Sequence, residues 1–307
     1  MSSFGFNLTI GSLLHDAGLT LTAAGSETPR LDAELLLGHV LGVGRATLLA
    51  EGESQVSTAQ EAAFEGLIER RARGEPVSYL RGLKEFYGLA LSVDERALIP
   101  RPETETLVGL ALGVIADRLT DAPRSVDARP LLAWDVGTGS GAICVALAVE
   151  CRRRGYGRDV ALRATDISTD ALALAVENAV GHGVADSIEF ATADLTDLPG
   201  TDAADLLLAN LPYIPTDIVP ALPVAASFEP RVALDGGADG LAVIRRLLAQ
   251  LPRALAGGGV ALLEIGADQG EQLAADVAAA LPGWELLIHA DLAGRPRVAQ
   301  LTRSGNA

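Results

Sequence analysis

The chain is poor in cysteine, methionine and lysine. Its 307 residues include two cysteines, one methionine and a single lysine, Lys84, so arginine supplies nearly all of the cationic side chains. Cys144 and Cys151 do not form a CxxC pair and the four histidines are scattered, so the sequence predicts neither a disulfide framework nor a metal site. Isolated thiols are typical of a reducing compartment, and we therefore expect a cytoplasmic protein.

Long apolar runs and clustered positive charge are also missing. No run reaches the length of a membrane span, and no basic segment leads into an apolar core near the start, so we expect neither membrane contact nor secretion. The net charge is −16. Because broad contact with phosphates needs clustered Lys and Arg, we expect no direct binding of nucleic acid. The composition indicates a globular protein, which we expect to be a monomer.

The pattern of the sequence changes twice along the chain. Apolar residues recur at helical spacing over residues 1–75, which predicts a small helical bundle. Residues 76–102 read as a linker with a short β-hairpin. Over residues 103–307 strands and helices alternate, which predicts an α/β domain with a mostly parallel sheet covered by helices on both faces, and residues 123–130 read as a surface loop within it.

A glycine-rich turn marks a candidate cofactor site. It lies between a predicted strand, Leu131–Val136, and a predicted helix, Ala142–Cys151. Glycines there permit positive φ and close approach of a ligand, and Ala142 completes a GxGxxG/A pattern. The turn predicts a nucleotide or nucleoside site, with these candidate contacts: Asp135, Gly137, Thr138, Gly139, Ser140 and Gly141.

Two further acidic residues follow the next strands. Asp166, with Ile167 after it, ends the second strand, at the position where a carboxylate meets ribose hydroxyls. Asp194 follows a third strand, where its carboxylate could accept a hydrogen bond from an adenine amine while Leu195 lies against the ring. Dehydrogenases and methyltransferases share the position of Asp166, so that residue does not separate these two classes.

The tetrapeptide Asn210-Leu211-Pro212-Tyr213 follows an apolar run that predicts a buried strand. Pro212 ends the strand, so the turn lies at a carboxyl end, where α/β sheets bind ligands. The Asn210 side chain offers one acceptor and two donors, and Tyr213 adds an aromatic face. This set suits a flat, uncharged NH2 group, such as a carboxamide or an exocyclic base amine.

The two sites together favour a methyl donor. Asp135 precedes the glycines, where its carboxylate could orient an ammonium group directly or through water. The turn at Asn210 faces the same cleft, and a dehydrogenase has no evident need for it. We therefore predict S-adenosyl-L-methionine as the cofactor, with Asn210 near its methyl group.

The order of these motifs resembles class I adenosylmethionine-dependent methyltransferases that act on planar nitrogen. The flanking segments narrow the resemblance to the release factor glutamine methyltransferases of the HemK/PrmC type. The likeness runs from about Glu75 to the end of the chain, and the helical N-terminus is also that family's arrangement. Four segments carry it: residues 76–82, Glu85-Phe86-Tyr87-Gly88, residues 98–105 and residues 228–237.

The resemblance implies a fold and a reaction. The fold is a Rossmann-like, mostly parallel seven-stranded sheet with an N-terminal helical domain that binds the release factor. The substrate is the glutamine of the Gly-Gly-Gln motif in bacterial class I peptide chain release factors, and the product is N(5)-methylglutamine. On this basis residues 1–75 form the release-factor-binding domain and residues 103–307 the methyltransferase domain.

The tetrapeptide departs from the family at one position. The family usually has Asn-Pro-Pro-Tyr, whereas Leu211 stands second here, a spelling associated with ribosomal RNA adenine N(6)-dimethyltransferases. The second residue supplies chiefly a backbone carbonyl, which leucine also has. We predict that Asn210 and Leu211 orient the substrate amide, that Pro212 holds the turn and that Tyr213 packs on the amide face. Phe86 is a further candidate for the substrate pocket, and Glu103 for the methionine end of the cofactor.

Two other functions remain open from the sequence. One is an adenine N(6)-methyltransferase acting on RNA or DNA, which the acidic composition and the flanking segments oppose. The other is a non-catalytic binding module that retains the cofactor fold. The intact glycines and Asn210 argue against that second alternative.

Overall fold

The structure, a computed structural model, describes residues 8–120 and 129–303. Its contacts divide the chain into two compact units. The first holds residues 8–83 with Pro223–Phe228, and the second holds the remaining described residues. The domain boundaries predicted at residues 75 and 102 stay predictions, and most of the predicted loop, residues 123–128, lies outside the described residues.

The first unit is a bundle of short helices, as predicted. Two of its helices begin with capping boxes, in which Thr9 pairs with Ser12 and Ser57 pairs with Gln60. The helices bury their apolar faces in one common core. They are α1 Ile10–Ala23, α2 Pro29–Leu41, α3 Arg45–Ala50, α4 Thr58–Ala72 and α5 Val77–Arg81.

The segment Pro223–Phe228 packs in this unit although it is distant in sequence. Gly74 makes the close approach possible, because a Cβ atom there would lie 2.5 Å from Cγ1 of Val224. The backbone of Gly74 also has a φ of +98°, which favours glycine.

The second unit alternates strands and helices. Before this alternation, β1 Leu83–Phe86 and β2 Leu89–Ser92 form the predicted hairpin. The remaining elements are α6 Glu105–Thr120, β3 Leu131–Val136, α7 Ala142–Arg153, β4 Val160–Asp166, α8 Thr169–Gly181, β5 Ile188–Thr192, β6 Ala204–Ala209, α9 Ala242–Ala254, β7 Leu255–Glu264, α10 Gly270–Ala280, β8 Trp284–Ala290 and β9 Pro296–Arg303.

These strands form one seven-stranded sheet in the order β5-β4-β3-β6-β7-β9-β8. Strands β3 to β7 run parallel, and β9 is antiparallel to both β7 and β8. The chain proceeds from β3 toward β4 and β5, then returns to place β6 on the other side of β3. Ligands bind at such a switch point, beyond the carboxyl ends of the strands. Val136 pairs with Ala209, so the turns that follow β3 and β6 are neighbours.

Two hydrophobic cores cover the two faces of the sheet. Helices α6 and α7 supply one core, and α9 and α10 supply the other. Strand β3 is buried along its whole length, as expected for the centre of a sheet between helical layers. No helix among the described residues is long and apolar enough to cross a membrane.

Candidate active site

A cavity of about 510 Å³ lies at the switch point, within the second unit. That volume suits a small-molecule ligand. The cavity is lined by most of the predicted site residues: Gly137, Thr138, Gly139, Ser140, Asp166, Ile167, Asp194, Leu195, Asn210, Leu211 and Pro212. The structure thus brings together residues that the sequence places on four different strand ends.

The glycine turn needs its glycines. Gly137, Gly139 and Gly141 have φ values of 73°, 56° and 79°. A Cβ atom on Gly137 would lie 2.9 Å from Cδ2 of Leu211, and one on Gly141 would lie 2.9 Å from Cβ of Ala175. The first contact shows that the glycine turn and the tetrapeptide touch each other. Side chains at Gly137 and Gly141 would therefore collide with Leu211 and Ala175, and the backbone of Gly137 and Gly139 lines the cavity directly as a cradle.

Asp135 lies beneath this turn and is buried, with 1% of its surface exposed. Its Oδ2 atom accepts hydrogen bonds from Thr138 Oγ1 at 2.7 Å and from the Cys144 backbone N–H at 3.3 Å. Its Oδ1 atom is buried without a hydrogen-bond partner in the described chain. Burial, with a smaller effect from the charge of Asp166, raises the pKa of Asp135 to about 7.

Asp166 holds the glycine turn in place. Its Oδ2 atom accepts a hydrogen bond from Gly139 N–H at 2.8 Å, and its Oδ1 atom accepts one from Ser168 N–H at 2.9 Å. Burial raises the pKa of Asp166, and these backbone donors oppose that rise. The same carboxylate lines the cavity and keeps lone pairs for a ligand.

Asp194 has a partner that the sequence analysis missed. Its Oδ2 atom lies 2.5 Å from a terminal nitrogen of Arg246, which projects from α9, and both residues line the cavity. Leu195 is buried and has a φ of 58°, unusual for a leucine. A ligand amine that donates a hydrogen bond to Asp194 would share the Asp194 carboxylate with Arg246.

The tetrapeptide is anchored by side chains from other elements. Asn210 Nδ2 donates a hydrogen bond to Thr104 Oγ1 at 3.1 Å. The Tyr213 hydroxyl donates to Glu264 Oε1 at 3.3 Å, and Gln269 Nε2 donates to the Tyr213 carbonyl at 2.8 Å. No protein donor in the described ranges bonds to Asn210 Oδ1 or to the Leu211 carbonyl. These two acceptors are therefore available to a substrate.

Tyr213, which is half-buried, and the buried Glu264 form a pair behind the cavity. Burial, with the negative charge of Glu264, raises the pKa of Tyr213 to about 12. Burial also raises the pKa of Glu264, while the hydroxyls of Thr104 and Tyr213 and the charge of Arg297 lower it. Neither Tyr213 nor Glu264 is among the cavity-lining residues. The pair supports the turn from behind.

A second ion pair shapes the rim. Glu229 is buried, accepts a hydrogen bond from Ile99 N–H at 3.1 Å and forms an ion pair of 2.6 Å with Arg101. It therefore joins the segment before α6 to the loop after Phe228, both of which the sequence analysis singled out. Arg101 lines the cavity.

Besides Asp135, Gly141 and Tyr213, two further predicted residues are not among the cavity-lining residues. Phe86 is 1% exposed and packs in the hydrophobic core with α6 and α7, so its predicted contact with the substrate stays a prediction that the lining does not support. Glu103 is exposed and is likewise not a lining residue. Among residues 8–120 and 129–303, no group of three or more His, Cys, Asp or Glu side chains could hold a metal ion.

The missed residues belong to segments with visible signals. Thr104 and Arg101 lie in the Pro-rich segment before α6, and Glu264 ends strand β7, which lies beside β6. An acidic residue at the carboxyl end of a central strand could have been selected by the same rule that selected Asp166. Arg246 lies on an amphipathic helix and has no comparable signal.

Comparison with known proteins decides the family. A protein of Deinococcus radiodurans named release factor glutamine methyltransferase is 37% identical over 299 residues, which cover 97% of this chain and 100% of that protein. A protein of the same name from Moorella thermoacetica is 41% identical over 293 residues, which cover 94% and 97%. This chain belongs to the release factor glutamine methyltransferase family.

Domain families and solved structures agree with this membership. Residues 12–82 match the PrmC N-terminal domain, and residues 134–215 match the RMKL-like methyltransferase domain. The hMettl16 catalytic domain, solved in complex with a MAT2A 3′UTR hairpin, is similar in fold alone, with a TM-score of 0.53 at 13% identity over 81% of each chain. The predicted family and the predicted Rossmann-like methyltransferase fold with its helical N-terminus are confirmed.

Proposed function

We propose that this chain transfers a methyl group from S-adenosyl-L-methionine to the side-chain amide nitrogen of the glutamine in the Gly-Gly-Gln motif of peptide chain release factors. The observation that carries the proposal is the tethered Asn210 carboxamide, held at 3.1 Å by Thr104 beside the glycine turn. The names of the relatives support the substrate, since each is called a release factor glutamine methyltransferase.

The residues around the glycine turn fit the cofactor. The backbone of Gly137 and Gly139 lines the cradle, and Asp135 offers a buried oxygen without a partner in the described ranges. Asp166 is the candidate acceptor for the ribose hydroxyls, and Asp194 with Leu195 is the candidate pair for the adenine. When bound, S-adenosyl-L-methionine supplies a methyl group on a positively charged sulfur.

Asn210 and Leu211 orient the amide. An amide nitrogen is a weak nucleophile because its lone pair is delocalised into the carbonyl. Asn210 Oδ1 and the Leu211 carbonyl are two fixed acceptors, one for each N–H of the substrate NH2 group. Their geometry selects one orientation of the nitrogen, and their partial negative charge favours the positive charge that develops on it. Orientation and electrostatics of this kind account for much of an enzyme's rate gain.

Tyr213 acts through its ring rather than as a base. Its hydroxyl donates to Glu264, and a pKa of about 12 keeps it protonated at neutral pH. The ring is not among the cavity-lining residues, so its predicted contact with the face of the substrate amide stays a prediction, while Pro212 and the hydrogen bond from Gln269 hold the turn. No proton needs to leave before the methyl group arrives, so a strong base is not required.

The helical first unit is the candidate site for holding the release factor. Residues 12–82 match a domain family that is named after this class of enzyme, which supports the role predicted for the N-terminal helices. The protein partner also agrees with a net charge of −16, which disfavours a nucleic acid.

Adenine is the second candidate acceptor. Leu211 favours it, because Asn-Leu-Pro-Tyr is the spelling associated with adenine N(6)-dimethyltransferases. The Leu211 side chain is buried against the glycine turn, however, and the predicted contact with the substrate is its backbone carbonyl. Leucine in place of proline at this position therefore affects how the turn is held in place more than which oxygen atoms the turn offers to the substrate.

Asn210→Ala is the variant that tests the proposal. Loss of the carboxamide acceptor should lower methyl transfer to a release factor by about 100-fold or more, since misplacement at a reacting centre costs that much. Mass spectrometry of the digested release factor should find the wild-type methyl group on the glutamine of the Gly-Gly-Gln motif. Calorimetry with S-adenosyl-L-methionine checks that the variant still binds the cofactor. Full turnover by Asn210→Ala would overturn the proposed role.

A further inference from the structure

Thr104 is a buried hydroxyl that points at the proposed catalytic side chain. It lies at the end of the Pro102–Thr104 turn that precedes α6, and 4% of its surface is exposed. Its Oγ1 atom accepts the hydrogen bond from Asn210 Nδ2 at 3.1 Å. The two residues are far apart in sequence, so only the fold brings them together.

The orientation of a carboxamide is not fixed by its shape. Its oxygen and NH2 edges are nearly the same size, and hydrogen bonds decide which edge faces which way. With Nδ2 on Thr104, Asn210 turns its Oδ1 edge away from Thr104. After a half turn the NH2 edge would face a substrate NH2 group, donor against donor, and the substrate nitrogen would lose one of its two acceptors.

Glu264 lies behind Thr104 and gives the hydroxyl a direction. It is 1% exposed, accepts the Tyr213 hydroxyl at 3.3 Å and interacts with the hydroxyl of Thr104. The Oε2 atom of Glu264 is buried without a hydrogen-bond partner in the described ranges, and the hydroxyl of Thr104 lowers the pKa of this carboxyl group, as a donor does. A Thr104 proton directed toward Glu264 leaves a lone pair of Oγ1 for the Asn210 N–H. Hydrogen bonds in such a series strengthen one another in a buried site.

We propose that Thr104, backed by Glu264, is a positioning residue that fixes Asn210 with its Oδ1 edge available to the substrate amide. This inference rests on the proposed function, because the edge matters only when the acceptor is an NH2 group. Thr104 acts through Asn210 and Glu264 acts through Thr104. Glu264 also accepts the hydrogen bond from the Tyr213 hydroxyl. One buried carboxyl group therefore supports Asn210, through Thr104, and Tyr213 directly.

The kinetic test compares two substitutions of the same residue. Thr104→Val keeps the shape and removes the hydroxyl, whereas Thr104→Ser keeps the hydroxyl. We expect Thr104→Val to lower kcat for a release factor by about tenfold or more, with the affinity for S-adenosyl-L-methionine unchanged. Thr104→Ser should recover most of the wild-type kcat. Glu264→Gln, which replaces one acceptor oxygen with a donor, should lower kcat in the same way.

Thr196→Val is the matched control. Its hydroxyl is also buried and bonds to Gln250 at 2.5 Å, and neither residue lines the cavity. Thr196→Val should lower the melting temperature and keep the wild-type kcat. The inference is overturned if Thr104→Val keeps the wild-type kcat, if Thr104→Ser fails to restore it, or if Thr196→Val loses as much activity as Thr104→Val.

A measurement on the protein without its substrate separates this inference from the proposed function. In protein with isotope-labelled asparagine, the side-chain NH2 resonances of Asn210 are identified by their loss in Asn210→Asp. Thr104→Val should shift these resonances and speed their exchange with solvent, whereas Thr196→Val should not. Unchanged Asn210 resonances in Thr104→Val would overturn the inference even if the release factor is methylated. A wild-type protein that methylates no release factor would overturn the proposed function, while the resonances still decide the contact.

Discussion

Folding and ligand binding favour different protonation states of the Asp135 carboxyl group. Folding buries its carboxyl group, and burial raises its pKa to about 7. Binding of a cation favours the ionised form. The unpartnered Oδ1 atom is the part of the group that a positively charged ligand would stabilise.

The raised pKa of Asp135 predicts a pH dependence of stability. Between pH 4 and 7, roughly, the unfolded chain carries an ionised Asp135 and the folded chain a protonated one. The free energy of unfolding should therefore fall as the pH rises through this window. The change is at most roughly 4 kcal/mol, because one pKa unit is worth about 1.4 kcal/mol.

Urea unfolding of wild type and Asp135→Asn across this pH range tests the prediction. The wild-type protein should lose stability relative to the variant as the pH rises, and the difference should level off above the raised pKa. Equal slopes in the two proteins would contradict it.

Gly141 gives a second prediction at the residue scale. Its φ of 79° and the 2.9 Å that would separate a new Cβ atom from Ala175 both oppose a side chain. Gly141→Ala should cost about 2 kcal/mol or more of stability and weaken the binding of S-adenosyl-L-methionine. Gly113→Ala in α6 is the matched control: nothing lies within 4 Å of its Cβ position, so it should stabilise the helix by about 0.5–1 kcal/mol. Equal cofactor affinity in Gly141→Ala and wild type would contradict the cradle.

At the scale of elements, Glu229 joins two segments that form the rim of the cavity. Its carboxylate accepts a hydrogen bond from the Ile99 N–H and forms an ion pair with Arg101. These contacts stand in for the regular backbone hydrogen bonds that the two loops lack. Glu229→Ala would leave a buried N–H and a buried part of Arg101 without a partner. Removing one member of a buried pair is strongly destabilising, although Arg101 is partly exposed and solvent screens part of the effect.

Glu229→Ala should therefore lower the free energy of unfolding by about 2–3 kcal/mol. Asp197→Asn is the control, since its pair with Arg253 is long at 3.3 Å and exposed, and its loss should cost less than about 1 kcal/mol. Denaturant unfolding measures both. A loss no greater in Glu229→Ala than in Asp197→Asn would show that the rim does not depend on this carboxylate.

Elements with a strong period were predictable from the sequence. Strands β3 and β6 and helix α7 have apolar runs bounded by Gly, Pro or Asn, and the predicted bounds of β3 and α7 differ from the structure by two residues or fewer. Helix α10 was missed, because its alanine-rich sequence buries only Leu273 and Val277 and gives a weak pattern. The first half of strand β7 has no apolar signal over Ala256–Gly259, and its placement depends on pairing with β6.

The site residues that come at or directly after the carboxyl end of a strand were predictable from the sequence. The glycine turn, Asp166, Asp194 and Asn210 all obey that rule, and the structure gathers them around one cavity. The contacts that hold them were not predictable, because Thr104 and Asn210 or Ile99 and Glu229 lie far apart in sequence with no shared period. Pairings of this kind are decided by the complete fold.

At the scale of the whole molecule, the proposed chemistry and the proposed recognition of the release factor belong to different units. The cavity is lined only by residues of the second unit, and the helical first unit matches a separate domain family. We therefore propose that the second unit transfers the methyl group and that the first unit recognises the release factor. The central claim is the identity of the acceptor.

Transfer of labelled methyl from S-adenosyl-L-methionine tests that claim most directly. Three acceptors are compared: a purified release factor, the same factor with the glutamine of its Gly-Gly-Gln motif changed to alanine, and ribosomal RNA. The account predicts label on the intact release factor alone. Label on RNA, or equal label on the altered release factor, would contradict it.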